Sequence, residues 1–322
     1  MSDRVRSPSL LECCATAVGS VRGMLRPRRP DQRFLRSLTD AGLPTAQRTV
    51  TVTSLAQVPR PVPTAAIVEG RFSPFRIANS LTSFVIQHPE ATFIVDPGFC
   101  IDADRRAVAQ LPRPLRMAVR PPSNNIPTIN ALENQSHLPT LQFALPTHAH
   151  WDHVCGLLDL PGLPVHLHSV EHSWISQGAV APVGGVRDSL KGRPLVTYDL
   201  DGPPILTFTR SRDLFDDGSI VLVDLAGHTP GSIGILAHTP RGWILLAGDA
   251  AWHSLQIDGI RQKASYPGNF VDNDRNLTFR TLHRLHLARH FATVIPTHDH
   301  DATLRLAPYA EAVAPHPEAV AP

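Results

Sequence analysis

The sequence predicts a layered α/β domain over about residues 60 to 310. Three observations carry that expectation. From Thr64 onward, short runs of β-branched and apolar residues recur between turn residues, as strands do. Stretches with helical spacing fall between those runs, most clearly Asn273 to His290, with Leu277, Leu282, Leu285 and Leu287. Four of the apolar runs end on a histidine or an aspartate. Many strands with helices at intervals build sheets that helices cover.

Taken in order, residues 1 to about 60 read as a basic N-terminal extension. Within it, Asp31 is a plausible N-cap for a helix running to Ala41, before Gly42. Strands are expected at Ala65 to Val68, Ser83 to Gln87 and Thr92 to Val95. The last two flank His88-Pro89-Glu90 as a hairpin that closes on Asp96-Pro97-Gly98. A helix is expected from Asp102 to Gln110, then a polar, proline-rich passage to His137 and a strand from Leu141. Val165 to His168 reads as a strand, Ser169 to Ser176 as a helical turn, and the glycine-rich Gly178 to Arg193 as a loop. Strands follow at Ile205 to Thr209, Ile220 to Leu225, Ile233 to Ala237 and Trp243 to Ala247, with Asp216-Asp217-Gly218 as a turn. After the helix at 273–290, one more strand spans Ala292 to Pro296. The tail, 311–322, is of low complexity and expected to be disordered. There is no internal repeat.

Composition narrows the class. Apolar content of 42% with 18% charged residues is that of an ordinary globular protein. A net charge of +2, with no aromatic-interleaved basic stripe, argues against a nucleic-acid partner. No run of eighteen apolar residues is present, so no membrane span is expected. The four cysteines, Cys13, Cys14, Cys100 and Cys155, form no C-x-x-C pair and suggest a reducing compartment. Arg4 and Arg6 precede the apolar segment Leu10 to Val18 as in a signal sequence, but Glu12 interrupts it and Arg22, Arg26, Arg28 and Arg29 follow. Cytoplasm is therefore the expected location, with export as the alternative.

The chemistry concentrates in Leu145-Pro146-Thr147-His148-Ala149-His150-Trp151-Asp152-His153. A strand that ends in a tight loop can point alternate side chains into one cup. His148 and His150 would share one metal, leaving Asp152 and His153 free to turn towards a second. Imidazole with carboxylate suits Zn²⁺, Fe or Mn better than Ca²⁺ or Mg²⁺. Further strand ends deliver His228 in Ala226-Gly227-His228-Thr229-Pro230-Gly231, Asp249 after Gly248, and His298 in Thr297-His298-Asp299-His300. Together they supply the three ligands that two neighbouring metals would still lack.

With those residues the chain resembles the metallo-β-lactamase-fold hydrolase superfamily. Val95-Asp96-Pro97-Gly98, the His148 to His153 motif, Gly227 to Gly231, Gly248-Asp249 and Thr297-His298 lie in the family's order, over about residues 64 to 305. The resemblance implies an αββα sandwich over residues 61–310 with a dinuclear site at one edge. It implies one metal on His148, His150 and His228, a second on Asp152, His153 and His298, and Asp249 as the bridge, with Asp96 behind. Two divalent ions, Zn first and Fe or Mn as alternatives, would carry a bridging hydroxide that attacks an ester carbonyl. Asp152 or Asp249 would pass the proton to the leaving group.

Departures from the family pattern sharpen the substrate. Asp249 stands where the commonest zinc β-lactamases have cysteine, and too few residues follow His298 for the helical domain of glyoxalase II-like thioesterases. What remains resembles the branch of N-acyl homoserine lactonases and organophosphate hydrolases, so a small-molecule lactone or other carboxylic ester is the expected substrate. Many such lactonases place a tyrosine three residues after the bridging aspartate; here Trp252 and then His253 occupy that stretch, and His253 is a candidate catalytic group. Trp151, Trp252, Tyr266 and Phe270 are candidates for an apolar pocket, Cys155 for a buried thiol, and His300 for a rival of His298. The competing readings are phosphotriester or phosphodiester hydrolysis on the same site, a mononuclear iron dioxygenase, and a non-catalytic binding protein. A homodimer is left open.

Overall fold

Phe84 and Ile86 face one way from their strand and Val85 the other, and all three are fully buried. A strand apolar on both faces must be covered on both faces, and the computed structural model shows how. It describes residues 10–306, apart from 112, 114–115, 117–118, 135–139 and 178–183. The first sheet has the order β1-β4-β5-β6-β7-β8, with β1 at Thr51–Ser54, β4 at Phe84–Gln87, β5 at Thr92–Val95, β6 at Phe143–Leu145, β7 at Val165–His168 and β8 at Leu195–Tyr198. The second has the order β13-β12-β11-β10-β9, with β9 at Ser211–Asp213, β10 at Ile220–Asp224, β11 at Ile233–Thr239, β12 at Gly242–Leu246 and β13 at Thr293–Ile295. A small hairpin pairs β2 (Arg60–Pro63) with β3 (Arg76–Asn79).

Three apolar layers follow from the alternation of side chains along these strands. Between the sheets, Phe84, Ile86, Phe93, Val95 and Leu145 meet Ile220, Leu222, Ile233, Ile235 and Ile295. Outside the first sheet, Val85, Ile94, Ala144 and Leu167 pack against Ala103, Leu132, Trp151 and Val154. Outside the second, Val221, Val223, Leu236 and Leu245 pack against Ile257, Phe279, Leu282 and Leu285. Each fully buried side chain of this size contributes roughly 1.5–3 kcal/mol. The architecture is the αββα sandwich expected from the sequence.

Strand direction places the ligand-bearing loops. β5 and β6 run parallel, as do β12 and β13, while β10 regains the direction of β12 through two antiparallel pairings with β11. The loops after β5, β6, β10, β12 and β13 carry Asp96, His148 to His153, His228, Asp249 and His298 respectively.

Several local expectations differ from the structure. Ala65 to Ile67 lies in a helical turn, Thr64–Ile67, with Val68 as its extended C-cap, because a four-residue apolar run has no decisive period. Ile205 to Thr209 forms a turn closed by Ile205 and Phe208, with Leu206 at a φ of 49°, and the strand begins at Ser211 instead. The helix expected from Asp102 to Gln110 breaks into Ala103–Arg106 and a 3₁₀ turn at Val108–Gln110. Within the expected loop Gly178 to Arg193, Val186–Leu190 is helical. Asp31 does cap a helix, accepting from Phe34 N, but that helix ends at Ser37. The tail 311–322 lies outside the described residues.

The N-terminal segment is engaged with the rest. Helix Leu10–Leu25 lies on helix Ser265–Val271, where Tyr266 N donates to Ser20 Oγ at 2.9 Å. Glu69 accepts from Arg28 N at 2.9 Å, and Asp31 N donates to His283 Nε2 at 2.8 Å. β1, ahead of residue 61, is the edge strand of the first sheet. No described helix is long and apolar enough to cross a membrane.

Candidate metal centre

Two buried carboxylates tie the ligand-bearing loops together. Asp96, at the end of β5, accepts from Thr147 N at 2.6 Å, Thr147 Oγ1 at 3.0 Å and Thr297 Oγ1 at 3.3 Å. It therefore fixes the loops after β6 and β13 to one another. Its Oδ2 also lies 2.9 Å from His153 Nδ1. Glu171 does the same on the other side. It accepts from Ala149 N at 2.7 Å, Thr229 Oγ1 at 2.7 Å and Gly231 N at 3.0 Å, joining the His148–His150 turn to the His228 loop. Burial raises the Glu171 pKa, against the pull of these donors.

The seven expected ligands converge. His148, His150 and His228 offer nitrogen atoms within 4.8 Å of one another, as do the ligand atoms of Asp152, His153 and His298. His148, His153 and Asp249 form a third such group between them. Asp249 divides its carboxylate. Oδ2 is 3.3 Å from His228 Nε2, whereas Oδ1 is 3.3 Å from both His153 Nε2 and His298 Nε2.

Most of these imidazoles have one nitrogen committed and the other aimed inward. His228 Nδ1 is 2.8 Å from Asp272 Oδ1, His298 Nδ1 is 2.9 Å from Ser80 O, and His153 Nδ1 faces Asp96. An outer partner of this kind fixes the tautomer and presents Nε2. Asp272 is held in turn by Lys263, whose Nζ lies 2.9 Å from its Oδ1 and 3.0 Å from Asp249 O.

The centre penalises a proton on some of its rings and favours one on another. Burial, with the neighbouring rings, pushes the pKa of His148 and of His150 well below the ordinary histidine value. His153 is also penalised by burial, but Asp96 and Asp249 outweigh it and hold its pKa well above the ordinary value. Asp249, despite burial, is held well below the usual carboxylate range by His298 and His153. His153 Nε2, His228 Nε2, His298 Nε2 and Asp249 Oδ1 are all buried without a hydrogen-bond partner. Each such orphan costs about 1–3 kcal/mol. Four of them at the meeting point of nitrogen and oxygen donors fit divalent cations of the Zn, Fe or Mn kind.

The sequence profile of the metallo-β-lactamase superfamily matches residues 78–313. The chain belongs to that superfamily. A probable metallo-hydrolase of Mycobacterium tuberculosis is 27% identical over 206 residues, covering 59% of this chain and 63% of the relative. A gamma-lactamase of Fusarium pseudograminearum is 26% identical over 215 residues, covering 60% of this chain and 50% of its own. The chain thus spans less than two thirds of the length of these curated relatives. Among solved structures, a Bacillus thuringiensis AiiA variant with N-decanoyl-L-homoserine bound at its active site superposes with a TM-score of 0.55 at 13% identity. That superposition covers 81% of this chain and 98% of the other.

Other candidates fall outside this superfamily centre. His253 caps helix Ser254–Gly259, its Nδ1 accepting from Leu255 N at 3.1 Å and lying 3.5 Å from Asp299 Oδ2. It is off the wall of the cleft that opens beside Asp152 and His298. His300 binds Ser80 Oγ through Nδ1 at 3.2 Å and joins none of the three ligand groups. Cys155 is a buried thiol 3.4 Å from Gly98 O. Trp151 and Trp252 line the cleft; Tyr266 and Phe270 do not. Trp252 has a second part that its sequence position did not reveal, a hydrogen bond from Nε1 to Asp249 Oδ2. Lys263, Asp272 and Glu171 carried no signal in the sequence at all, since each finds its partners through the fold.

Proposed function

We propose that this chain is a dinuclear, metal-dependent hydrolase of carboxylic esters, with lactones as the first choice of substrate. One observation carries the reading: Asp249 places one carboxylate oxygen against each of two groups of nitrogen and oxygen donors. His148, His150 and His228 would hold one ion, Asp152, His153 and His298 the other, and Asp249 both. Two cations so placed, Zn²⁺ first and Fe or Mn as alternatives, supply Lewis acidity for an ester carbonyl and make water acidic enough to act near neutral pH.

The residues do the rest. Asp152 is on the cleft wall and 3.8 Å from His298 Nε2. A carboxyl group so placed can take a proton and return it to the leaving alkoxide. Trp151, Phe99 and Leu81 give the cleft an apolar wall for an acyl chain. Trp252 replaces the tyrosine of many lactonases and holds Asp249 through its indole N–H. His253, 3.5 Å from Asp299 Oδ2, would act through Asp299 and the loop after Asp249.

A second reading is hydrolysis of a phosphotriester or phosphodiester by the same residues. The same donor groups could act on phosphorus, and Arg60 and Arg120 line the cleft. The metal-loaded protein should be assayed on a lactone, an aryl ester and a phosphotriester. Lactone or ester turnover supports the first reading, and phosphotriester turnover alone replaces it with the second. Hydrolysis of none of them by a fully loaded protein would sink both.

A further inference from the structure

A cation faces the cleft from outside the metal centre. Arg60 pairs in register with Asn79 of β3, and Asn79 bridges in turn to Asp299, the residue after His298. These positions form one lateral row, so Arg60 is two strand spacings, roughly 10 Å, from the backbone beside His298. Arg60, Asn79, Asp152, Trp252 and His298 line the same cleft, which is open to solvent.

The Arg60 guanidinium lacks an anion. Its Nη1 donates to the carbonyl oxygen of Arg120 at 3.3 Å, and among the described residues no carboxylate lies within ion-pairing distance. Arg120, by contrast, is paired with Asp104 at 3.0 Å. An exposed cation with unused donors gains from an anion brought into the cleft, and the planar fork of arginine matches carboxylate or phosphate oxygens.

We propose that Arg60 binds an anionic oxygen group, carboxylate or phosphate, carried by the substrate on the part remote from the scissile ester. This rests on the ester-hydrolase reading and narrows it, because the substrate then has a second acidic group several bonds from the reacting carbonyl.

The test compares three esters that differ only at the remote end: a carboxylate, a phosphate monoester and a neutral amide. For the wild type, kcat/KM should favour an anionic member over the amide by about tenfold or more, chiefly through KM. Arg60→Met should remove that preference, and Arg60→Lys should restore part of it. The arm that responds identifies carboxylate or phosphate. A preference that is absent, or that survives Arg60→Met, overturns the proposal while leaving ester hydrolysis standing. Should no ester turn over, calorimetry on the metal-loaded protein decides independently. Glutarate should bind about tenfold more tightly than valerate, and Arg60→Met should abolish the difference. Equal binding of the two acids by the wild type would overturn the inference.

Discussion

Trp252 donates from its indole Nε1 to Asp249 Oδ2 at 2.6 Å. The same ring has Lys263 Nζ 5.0 Å from its centroid, and Lys263 reaches both Asp249 O and Asp272. One aromatic residue therefore restrains the carboxylate that lies between the two donor groups. A hydrogen bond to a charged acceptor is worth about 1.5–3 kcal/mol. Trp252→Phe should keep the ring in the cleft, retain most of the metal, and lower turnover about tenfold or more. Steady-state kinetics beside elemental analysis checks this; unchanged kcat would make the bond incidental.

The buried chain from Lys263 through Asp272 to His228 should matter for stability as well as for metal. Lys263 and Asp272 are both almost inaccessible, and removing one partner of a buried pair costs about 3–5 kcal/mol. Lys263→Met should destabilise by that order in denaturant titration and weaken metal retention, because His228 loses the group that steadies its Nδ1 partner. The double variant Lys263→Met, Asp272→Asn should recover part of the stability. Two single losses that simply add would contradict the coupling.

How much of this is legible in the sequence depends on how local each signal is. His148, His150, Asp152 and His153 sit within six residues at a strand end, and His228, Asp249 and His298 each follow an apolar run. Strand and ligand are then read from one short window. Lys263 and Asp272 lie in irregular sequence around helix Ser265–Val271, and only the fold brings them beneath His228 and Asp249. Glu171 sits inside a helix that the sequence does suggest, but its three acceptor contacts are with two other loops. The strand expected at Ile205 to Thr209 fails for a local reason, a positive φ at Leu206 just after Pro203-Pro204. Apolar content alone does not encode that turn.

Close backbone approach sets a further prediction at Gly227, beside His228. Its φ is +138°, and a Cβ there would lie 2.4 Å from Thr278 N and 2.7 Å from Thr278 Cα. Those atoms are backbone at the start of helix Arg275–Ala288, so they cannot swing away. Gly227→Ala should destabilise by about 1–3 kcal/mol and displace His228 from its group. A variant with wild-type melting temperature and metal content would contradict the tight fit.

Away from the centre, Asp217 gives an acid-sensitivity prediction. Its Oδ2 is 3.0 Å from His88 Nε2 and its Oδ1 accepts from Ser219 N at 2.9 Å. Burial alone would raise its pKa, but the Ser219 and His88 contacts outweigh it and hold the carboxyl below the ordinary 3.8. A group depressed in the folded state stabilises it fully above the unfolded value and less as pH falls through the folded one. Asp217→Asn should therefore cost about 1–2 kcal/mol at neutral pH, with the gap closing below about pH 4. Denaturant titrations at a series of pH values check the sign; a gap that widens in acid would reverse it.

If Asp249 joins two metal sites, metal stoichiometry shows it most directly. Purified wild-type protein, loaded with zinc and freed of excess, should carry about two equivalents by elemental analysis. Asp249→Ala should carry fewer and hydrolyse no ester. A single tightly held equivalent in the wild type, or two equivalents and intact turnover in Asp249→Ala, would contradict the account.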